Sequence, residues 1–321
     1  MLTENTSDQV GGMGEAALIR EMLTCLGSAG PPPPHGPGDD CALLPAVGRR
    51  RLVTADPVIY KQHFLPQHSP RDVAAKLIRR NLSDIAAMGG RPEAAILSLS
   101  LPRQTSIRWL KRFFRALGSE AMRFEVTIIG GDCSESEGPP GFFMTMLGQA
   151  AGRRVLTRTG GRIGDMIYVT GRLGGSLLGR QFRFQPRLTE GVWLAGQRAV
   201  RSMIDLSDGM AKDLPELLPP GSAARLDAHQ IPIARAAERR AKETGRPPLH
   251  HALHDGEDFE LLFTVSGNTD LTRLERDWRG AFDVPLNQLG KIVPRSGSTP
   301  PILIDHAPDN FQLNRGYEHF R

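Results

Sequence analysis

Apolar residues recur along this chain with two spacings, and the changes between them mark its elements. Ala74, Leu77, Ile78, Ile85 and Met88 share one face at helical spacing, which predicts a helix over residues 70–88 ended by Gly89-Gly90. Asn81 lies in the middle of that apolar stripe and Asp84 on its flank. Polar groups held against a buried face need partners, so both positions call for them. Further helices are expected over residues 15–26, 105–123 and 189–201, from Met210 onward, and within the polar surface stretch 234–248. Short apolar runs predict strands at 41–44 and 51–54, flanking a turn at 46–50. Others fall at 94–101, 126–129, 142–150, 166–170, 259–265 and 289–293, while 202–209 remains an unassigned connecting segment. The stretch SAGPPPPHGPGDD (28–40) is too rich in proline for a helix and lacks ladder donors. Strands and helices alternate irregularly, without a tandem repeat, which fits an α+β fold better than a doubly wound sheet. The length of 321 residues suggests two domains or one large one.

Composition narrows the classes. Gly (35) and Pro (25) are abundant but stay below the range of roughly 25–30% that marks low complexity. No run approaches the roughly 18 apolar residues of a membrane span, and the acidic, polar start MLTENTSDQV lacks a signal-peptide pattern. Cys25, Cys41 and Cys133 are isolated, which argues against a disulfide scaffold or cysteine zinc site and for a reducing cytoplasm. The net charge is +5, and only six of the 40 basic residues are Lys. The Arg clusters at 49–51 and 79–80 are scattered, so they read as solvated surface and not as a nucleic-acid footprint. Arginine also suits phosphate-bearing small ligands.

The candidate chemistry lies in aspartates. Walker A, GxSxG and HExxH patterns are absent, as is a GxGxxG that opens a helix after a strand. Instead, Asp recurs beside Gly, Ser or Thr at GDD (38–40), TAD (54–56), NLSD (81–84), GGD (130–132), DLSDG (205–209) and GEDFE (256–260). Singly, each has an ordinary explanation: Ser207 or Asp208 as the cap of the helix from Met210, Asp132 as turn chemistry. Gathered in one cleft, such carboxylates would repel one another unless a hard divalent cation relieved them. Adjacent glycines let backbone N–H groups approach phosphate. The residues thus point to Mg²⁺-dependent handling of a phosphorylated substrate or nucleotide without a P-loop. His63, shortly after Asp56, is a further candidate, whereas His250, His251 and His254 (HHALH) make a weak metal pattern.

Eight segments in order carry a family resemblance: GDDCALL (38–44), D-x6-HF (56–64), NLSDIAAMGGRP (81–92), GGD (130–132), RTGGRIGDMIYVTG (158–171), IDLSDGMAKDL (204–214), GEDFELLFTV (256–265) and GYEHF (316–320). In these the chain resembles the thiamine-monophosphate kinase family, within the wider aminoimidazole-ribonucleotide synthetase and selenophosphate synthetase superfamily. The resemblance implies a two-domain α+β fold. Residues 1–152 would form an N-terminal α/β domain that binds ATP and Mg²⁺ and dimerises through its sheet, and 153–321 a C-terminal α+β domain. It implies a cytoplasmic homodimer, with no nucleic-acid or membrane partner, that phosphorylates thiamine monophosphate from ATP in a cleft between the domains. The metal ligands would be Asp40, Thr54, Asp56, Asp84, Asp132, Asp205 and Asp208. ATP would meet Gly131, Asp132, Arg158 and Ser207, and thiamine monophosphate His63, Glu257 and Tyr317. No protein base is implied, because the attacking phosphate oxygen is already anionic.

Four changes depart from the family pattern. Ala55 stands where a hydroxyl residue is common, and Tyr60-Lys61 where an acid and a glycine are usual. Cys133-Ser134-Glu135 replaces Thr-Thr-Arg, and Asp255 replaces a glycine before GED. A family relative acting on another small acceptor, or an ATP-binding homologue without turnover, stays open on these residues.

Overall fold

The computed structural model describes residues 3–5, 9–10, 15–29, 51–308, 311 and 313. The predicted strand at 41–44, the turn at 46–50, most of the proline-rich stretch, Asp40 and Tyr317 lie outside them. The described residues form two compact units, divided at Ile85/Ala86, Gly90/Arg91 and Ala150/Ala151.

The first unit contains α1 (Glu15–Leu26), β1 (Arg51–Ile59), α2 (Pro70–Ala87), β2 (Gly90–Leu101), α3 (Ile107–Arg123), β3 (Thr127–Glu135) and β4 (Gly141–Ala150). Its sheet has the order β1-β4-β2-β3, with β1 antiparallel to β4 and β2 parallel to β3. β1 runs on past its predicted end at Thr54 and through Pro57; among the described residues it is an edge strand, which tolerates a missing donor. Ser106 caps α3 by accepting the Trp109 N–H, and the helix buries Leu110, Phe113, Phe114, Leu117 and Ala121. Phe113 packs on Phe142 of β4 with ring centroids 4.4 Å apart. A bidentate Arg79–Glu120 pair (2.9 and 2.8 Å) ties α2 to α3.

The second unit contains β5 (Met166–Thr170), α4 (Leu188–Gly196), β6 (Val200–Asp205), α5 (Met210–Asp213), β7 (Ser222–Asp227) and α6 (Arg235–Thr244). α7 (Pro248–His254), β8 (Leu261–Val265), α8 (Leu271–Ala281), β9 (Leu286–Pro294) and β10 (Ile302–Asp305) complete it. Its six-stranded sheet has the order β10-β7-β9-β5-β8-β6. Both faces are covered, so all five residues of β8 are buried, Thr264 included. Leu262 joins the core with Ile204, Met210 and Leu253, while Leu261, Phe263 and Val265 join the one around Trp278 and Leu194.

The predicted helix over 189–201 is corrected here. α4 stops at Gly196, and Val200 opens β6, which pairs with β8. The predicted strand at 259–265 begins only at Leu261, since Phe259 adopts a left-handed backbone (φ 50°). Neither Ser207 nor Asp208 caps the helix at Met210: its N-cap is Gly209, without a side-chain bond.

Candidate functional site

In the first unit, strand alternation puts Thr54 and Asp56 on one face of β1 and Ala55 on the other. Arg80 and Asp84, one helical turn apart on α2, meet that first face. The Thr54 hydroxyl donates to Asp84 Oδ2 at 2.5 Å. Arg80 Nε donates to Asp56 Oδ2 at 2.8 Å, and its Nη1 to the Pro57 carbonyl at 2.6 Å. Asn81 accepts the Asp56 N–H at 3.0 Å and donates to the carbonyls of Asp56 (3.3 Å) and Leu77 (2.8 Å). The two polar residues on the helix stripe therefore find their partners on β1. The reading of Arg79-Arg80 as solvated surface is corrected here: Arg79 is buried against Glu120, and Arg80 is a half-buried partner of Asp56.

Thr54, Asp56 and Asp84 present only hydroxyl and carboxylate oxygens, the hard donor set that suits Mg²⁺. One Asp56 oxygen is held by Arg80. Among the described residues, the predicted acids place no three ligand atoms within 4.8 Å of one another.

Asp132 is exposed on β3, in register with Ser98, and accepts the Ser134 hydroxyl at 3.0 Å. A Cβ on Gly131 would meet the Leu97 carbonyl oxygen at 1.9 Å, so the neighbouring strand alone already requires glycine there. Glu135, the acid that replaces a family arginine, is neutralised by Arg103 Nε at 2.5 Å.

The loop after β1 turns at Lys61 (φ 68°), whose N–H donates to the Phe64 carbonyl at 2.8 Å. His63 Nδ1 accepts the Ile59 N–H at 3.0 Å, which puts the neutral ring's proton on Nε2. Lys76 Nζ holds the His63 carbonyl at 2.9 Å.

In the second unit, Asp205 is buried at the end of β6, and Asp208 is half-exposed and paired with Lys212 of α5. Asp213, absent from the sequence reading, accepts the Asp208 N–H at 3.1 Å. Burial, and then the neighbouring Asp208 charge, push its carboxyl up to about 7. Arg158 is exposed on a segment tied to the outer edge of β6 by the Met203 N–H to Thr157 carbonyl bond (2.9 Å).

The structure brings Ser207 and Glu257 together. The Glu257 N–H donates to the Ser207 carbonyl at 2.7 Å, and the Phe259 N–H to Leu206 at 2.8 Å. Gly256 is left-handed (φ 68°), and a Cβ there would meet the Ser207 carbonyl oxygen at 2.9 Å. Glu257 itself has φ 54°. Asp258 and Glu260 of the same motif are buried, with Glu260 held by Thr170, Arg180 and Arg187. Burial pushes Asp258 up to about 8, against the opposing pull of Arg180.

The HHALH histidines are occupied by the chain itself. His251 bridges Asp255 (2.8 Å) and Thr244 (2.8 Å), and Asp255, the family-atypical residue, also accepts the Gly175 N–H at 3.2 Å. His250 meets Arg246 at 2.8 Å, and His254 the His250 carbonyl at 2.8 Å.

Residues 38–150 match the family model for AIR synthase related protein, N-terminal domain. The thiamine-monophosphate kinase of Rhodopirellula baltica is 36% identical over 272 residues, covering 82% of this chain and 84% of its own. The structure of thiamine-monophosphate kinase from Stenotrophomonas maltophilia K279a is similar with a TM-score of 0.72 and 30% identity, over 90% of this chain and 95% of that one. AaThiL complexed with AMPPCP and TMP has the same fold at a TM-score of 0.72 and 24% identity, over 96% and 98% of the two chains. The fold is thus the two-domain α+β fold of the aminoimidazole-ribonucleotide synthetases, and among the described residues no helix is long and apolar enough to cross a membrane. With that identity over most of both lengths, the chain belongs to the thiamine-monophosphate kinase family.

Proposed function

We propose that this chain transfers the γ-phosphoryl group of ATP to thiamine monophosphate, yielding ADP and thiamine diphosphate. The observation that carries the reading is the oxygen group on α2 and β1: Thr54 bonded to Asp84, with Asp56 on the same strand face. ATP as phosphoryl donor is supported by the fold relative complexed with AMPPCP and TMP. In this reading Asp40, Thr54, Asp56, Asp84, Asp132, Asp205 and Asp208 hold Mg²⁺, which when bound neutralises the triphosphate charge. Gly131, Asp132, Arg158 and Ser207 contact the nucleotide, and His63, Glu257 and Tyr317 the thiamine monophosphate.

The acceptor oxygen is anionic at neutral pH and attacks the γ-phosphorus. As that P–O bond forms, the β–γ bridging bond breaks and its electron pair leaves with ADP. No proton has to be removed, so the chain's part is positioning and charge neutralisation. The exposed Arg158 guanidinium meets phosphate charge. His63 is oriented by the Ile59 N–H at Nδ1. Two departures from the family pattern lie beside this machinery: Ala55 is on the opposite face of β1 from Thr54 and Asp56, and Glu135 forms an exposed pair with Arg103.

The reading also assigns residues 1–152 to ATP and Mg²⁺ binding and to a homodimer, and 153–321 to the second domain. Support for the dimer comes from β1, an edge strand among the described residues, whose face with β4 exposes Val53 (64%) and Phe143 (41%). An exposed apolar sheet face at an open edge is a surface for association. The test is production of ADP and thiamine diphosphate by the purified chain with Mg-ATP, with and without thiamine monophosphate. Equimolar products that depend on the acceptor are expected. ATP binding without acceptor-dependent turnover would overturn the assignment.

A further inference from the structure

The second unit's sheet carries a side-chain group that the kinase reading leaves unused. β10 runs parallel to β7 with Asp305 in register with Asp227, and His306 follows directly. His229 lies in the single 3-10 turn Ala228–Gln230, which Asp227 caps by accepting the His229 N–H at 3.0 Å. His306 adopts a left-handed backbone (φ 57°), and its Nδ1 lies 3.1 Å from Asp227 Oδ1. The His229 and His306 rings stack with centroids 5.2 Å apart and planes at 29°. One ligand atom from each of Asp227, His229 and His306 lies within 4.8 Å of the others, the only such trio of His, Cys, Asp or Glu among the described residues.

We propose that Asp227, His229 and His306 form a binding site for a divalent transition metal of the zinc class, which clips the edge strand β10 to β7. Two imidazole nitrogens and one carboxylate oxygen suit Zn²⁺, Co²⁺ or Ni²⁺, whereas Mg²⁺ prefers oxygen alone. The site therefore selects a different ion from the one assigned to the aspartates. Its place differs too: β10 and β7 lie at one end of the strand order and β6, which carries Asp205, at the other.

The metal takes the place of the proton between His306 and Asp227. Both rings are exposed, so side-chain rotation alone brings three donors to about 2.0–2.2 Å from an ion, with the remaining coordination positions open to water. The bonded residues stand 79 positions apart, so occupancy closes a long loop that the unfolded chain does not hold together. The contrast with His250, His251 and His254 is direct, since each of those rings bonds a neighbour in its own segment.

The test titrates the full chain with Co²⁺ under excess Mg²⁺ and follows ligand-field absorption. One Co²⁺ per chain, displaced by Zn²⁺, is expected. His229→Ala and His306→Ala should each weaken binding by at least the ~10–100-fold that loss of a metal ligand's hydrogen-bond partner costs. Saturating Zn²⁺ should raise the thermal midpoint of the wild-type chain and leave both variants unmoved. His254→Ala should keep the band. Turnover with Mg-ATP in the absence of Zn²⁺ should match wild type in His229→Ala and His306→Ala, which also reports that they fold. No saturable band in the wild type, or a band that survives both substitutions or vanishes in His254→Ala, would overturn the site.

Discussion

Glu260 and Asp84 both come from acid-bearing motifs beside apolar runs, yet their surroundings differ in kind. Glu260 is buried, and the chain itself fills its carboxylate: Arg187 Nε and Nη2 donate at 2.7 Å each, the Thr170 hydroxyl at 2.7 Å, and Arg180 adds a further bond. Asp84 is half-buried, and its bonded Thr54 hydroxyl is itself a possible ligand oxygen. The Glu260 carboxylate is saturated by two half-buried cations and a hydroxyl of the chain, whereas Thr54 and Asp84 together are hydroxyl and carboxylate oxygens, the donor types that a hard divalent cation takes. The motif acids thus divide into those that shape a loop and those that face a cation.

The comparison breaks first at Glu260. Glu260→Ala takes the buried carboxylate from Arg180, Thr170 and Arg187 and leaves Arg187 only the longer Glu190 pair (3.6 Å); breaking a buried pair from one side costs up to about 3–5 kcal/mol. A urea-unfolding series should show that loss. Destabilisation below about 1 kcal/mol would move Glu260 into the other class.

Asp84→Asn should behave in the opposite way. The amide keeps an oxygen for the Thr54 hydroxyl, so the unfolding midpoint should barely move, while turnover with Mg-ATP falls on the order of 10²-fold. Excess Mg²⁺ should recover part of the rate. Activity that falls only in proportion to the folded fraction would erase the distinction between the two carboxylates.

Asp258 tests the loop-shaping class by pH. Its folded value of about 8 lies above the ordinary 3.8, so the native state holds a proton that the unfolded chain releases. The associated stability is complete below about pH 4, declines as pH rises, and is gone above about 8. Between those limits the slope approaches about 1.4 kcal/mol per pH unit. Unfolding midpoints between pH 5 and 8 should decline less steeply in Asp258→Asn than in wild type. Parallel slopes would show that Asp258 carries its charge in the folded chain.

The helix over 70–88 and its two partner-seeking residues were legible because an amphipathic period is local information. Their partners were not: Asp56 sits on a strand that continues through Pro57, which the local pattern does not foretell. The motif GEDFE shows the same limit within five residues. Glu257, Asp258 and Glu260 are alike in type, and left-handed backbones at 257 and 259 accompany the burial of the last two. Asp213 went unread and Arg80 was read as solvated surface for a related reason, since their contacts with Asp208 and Asp56 depend on how a turn and a strand pack against them. The trio sits on β7, the turn after it and the end of β10, and neither strand was among those that periodicity suggested; β10 lies beyond the last of them.

The smallest expected effect concerns Lys61, where the family pattern has glycine. Its φ of 68° costs a residue with a Cβ roughly 1–2 kcal/mol, while glycine gives back about 0.5–1 kcal/mol in unfolded-state entropy. Its ammonium lies 5.8 Å from the Tyr60 ring centroid, an exposed contact worth about 0.5 kcal/mol. Lys61→Gly should therefore stabilise the chain by no more than about 1 kcal/mol, and Lys61→Arg, which keeps both strain and charge, by nothing. If strain is all that Lys61 contributes, the glycine variant also keeps its KM for thiamine monophosphate. A raised KM in Lys61→Gly but not in Lys61→Arg would give the cation at this turn, two residues before His63, a part in holding the acceptor's phosphate. The chain's departure from the family pattern would then be an adjustment of acceptor binding, retained at a small cost in stability.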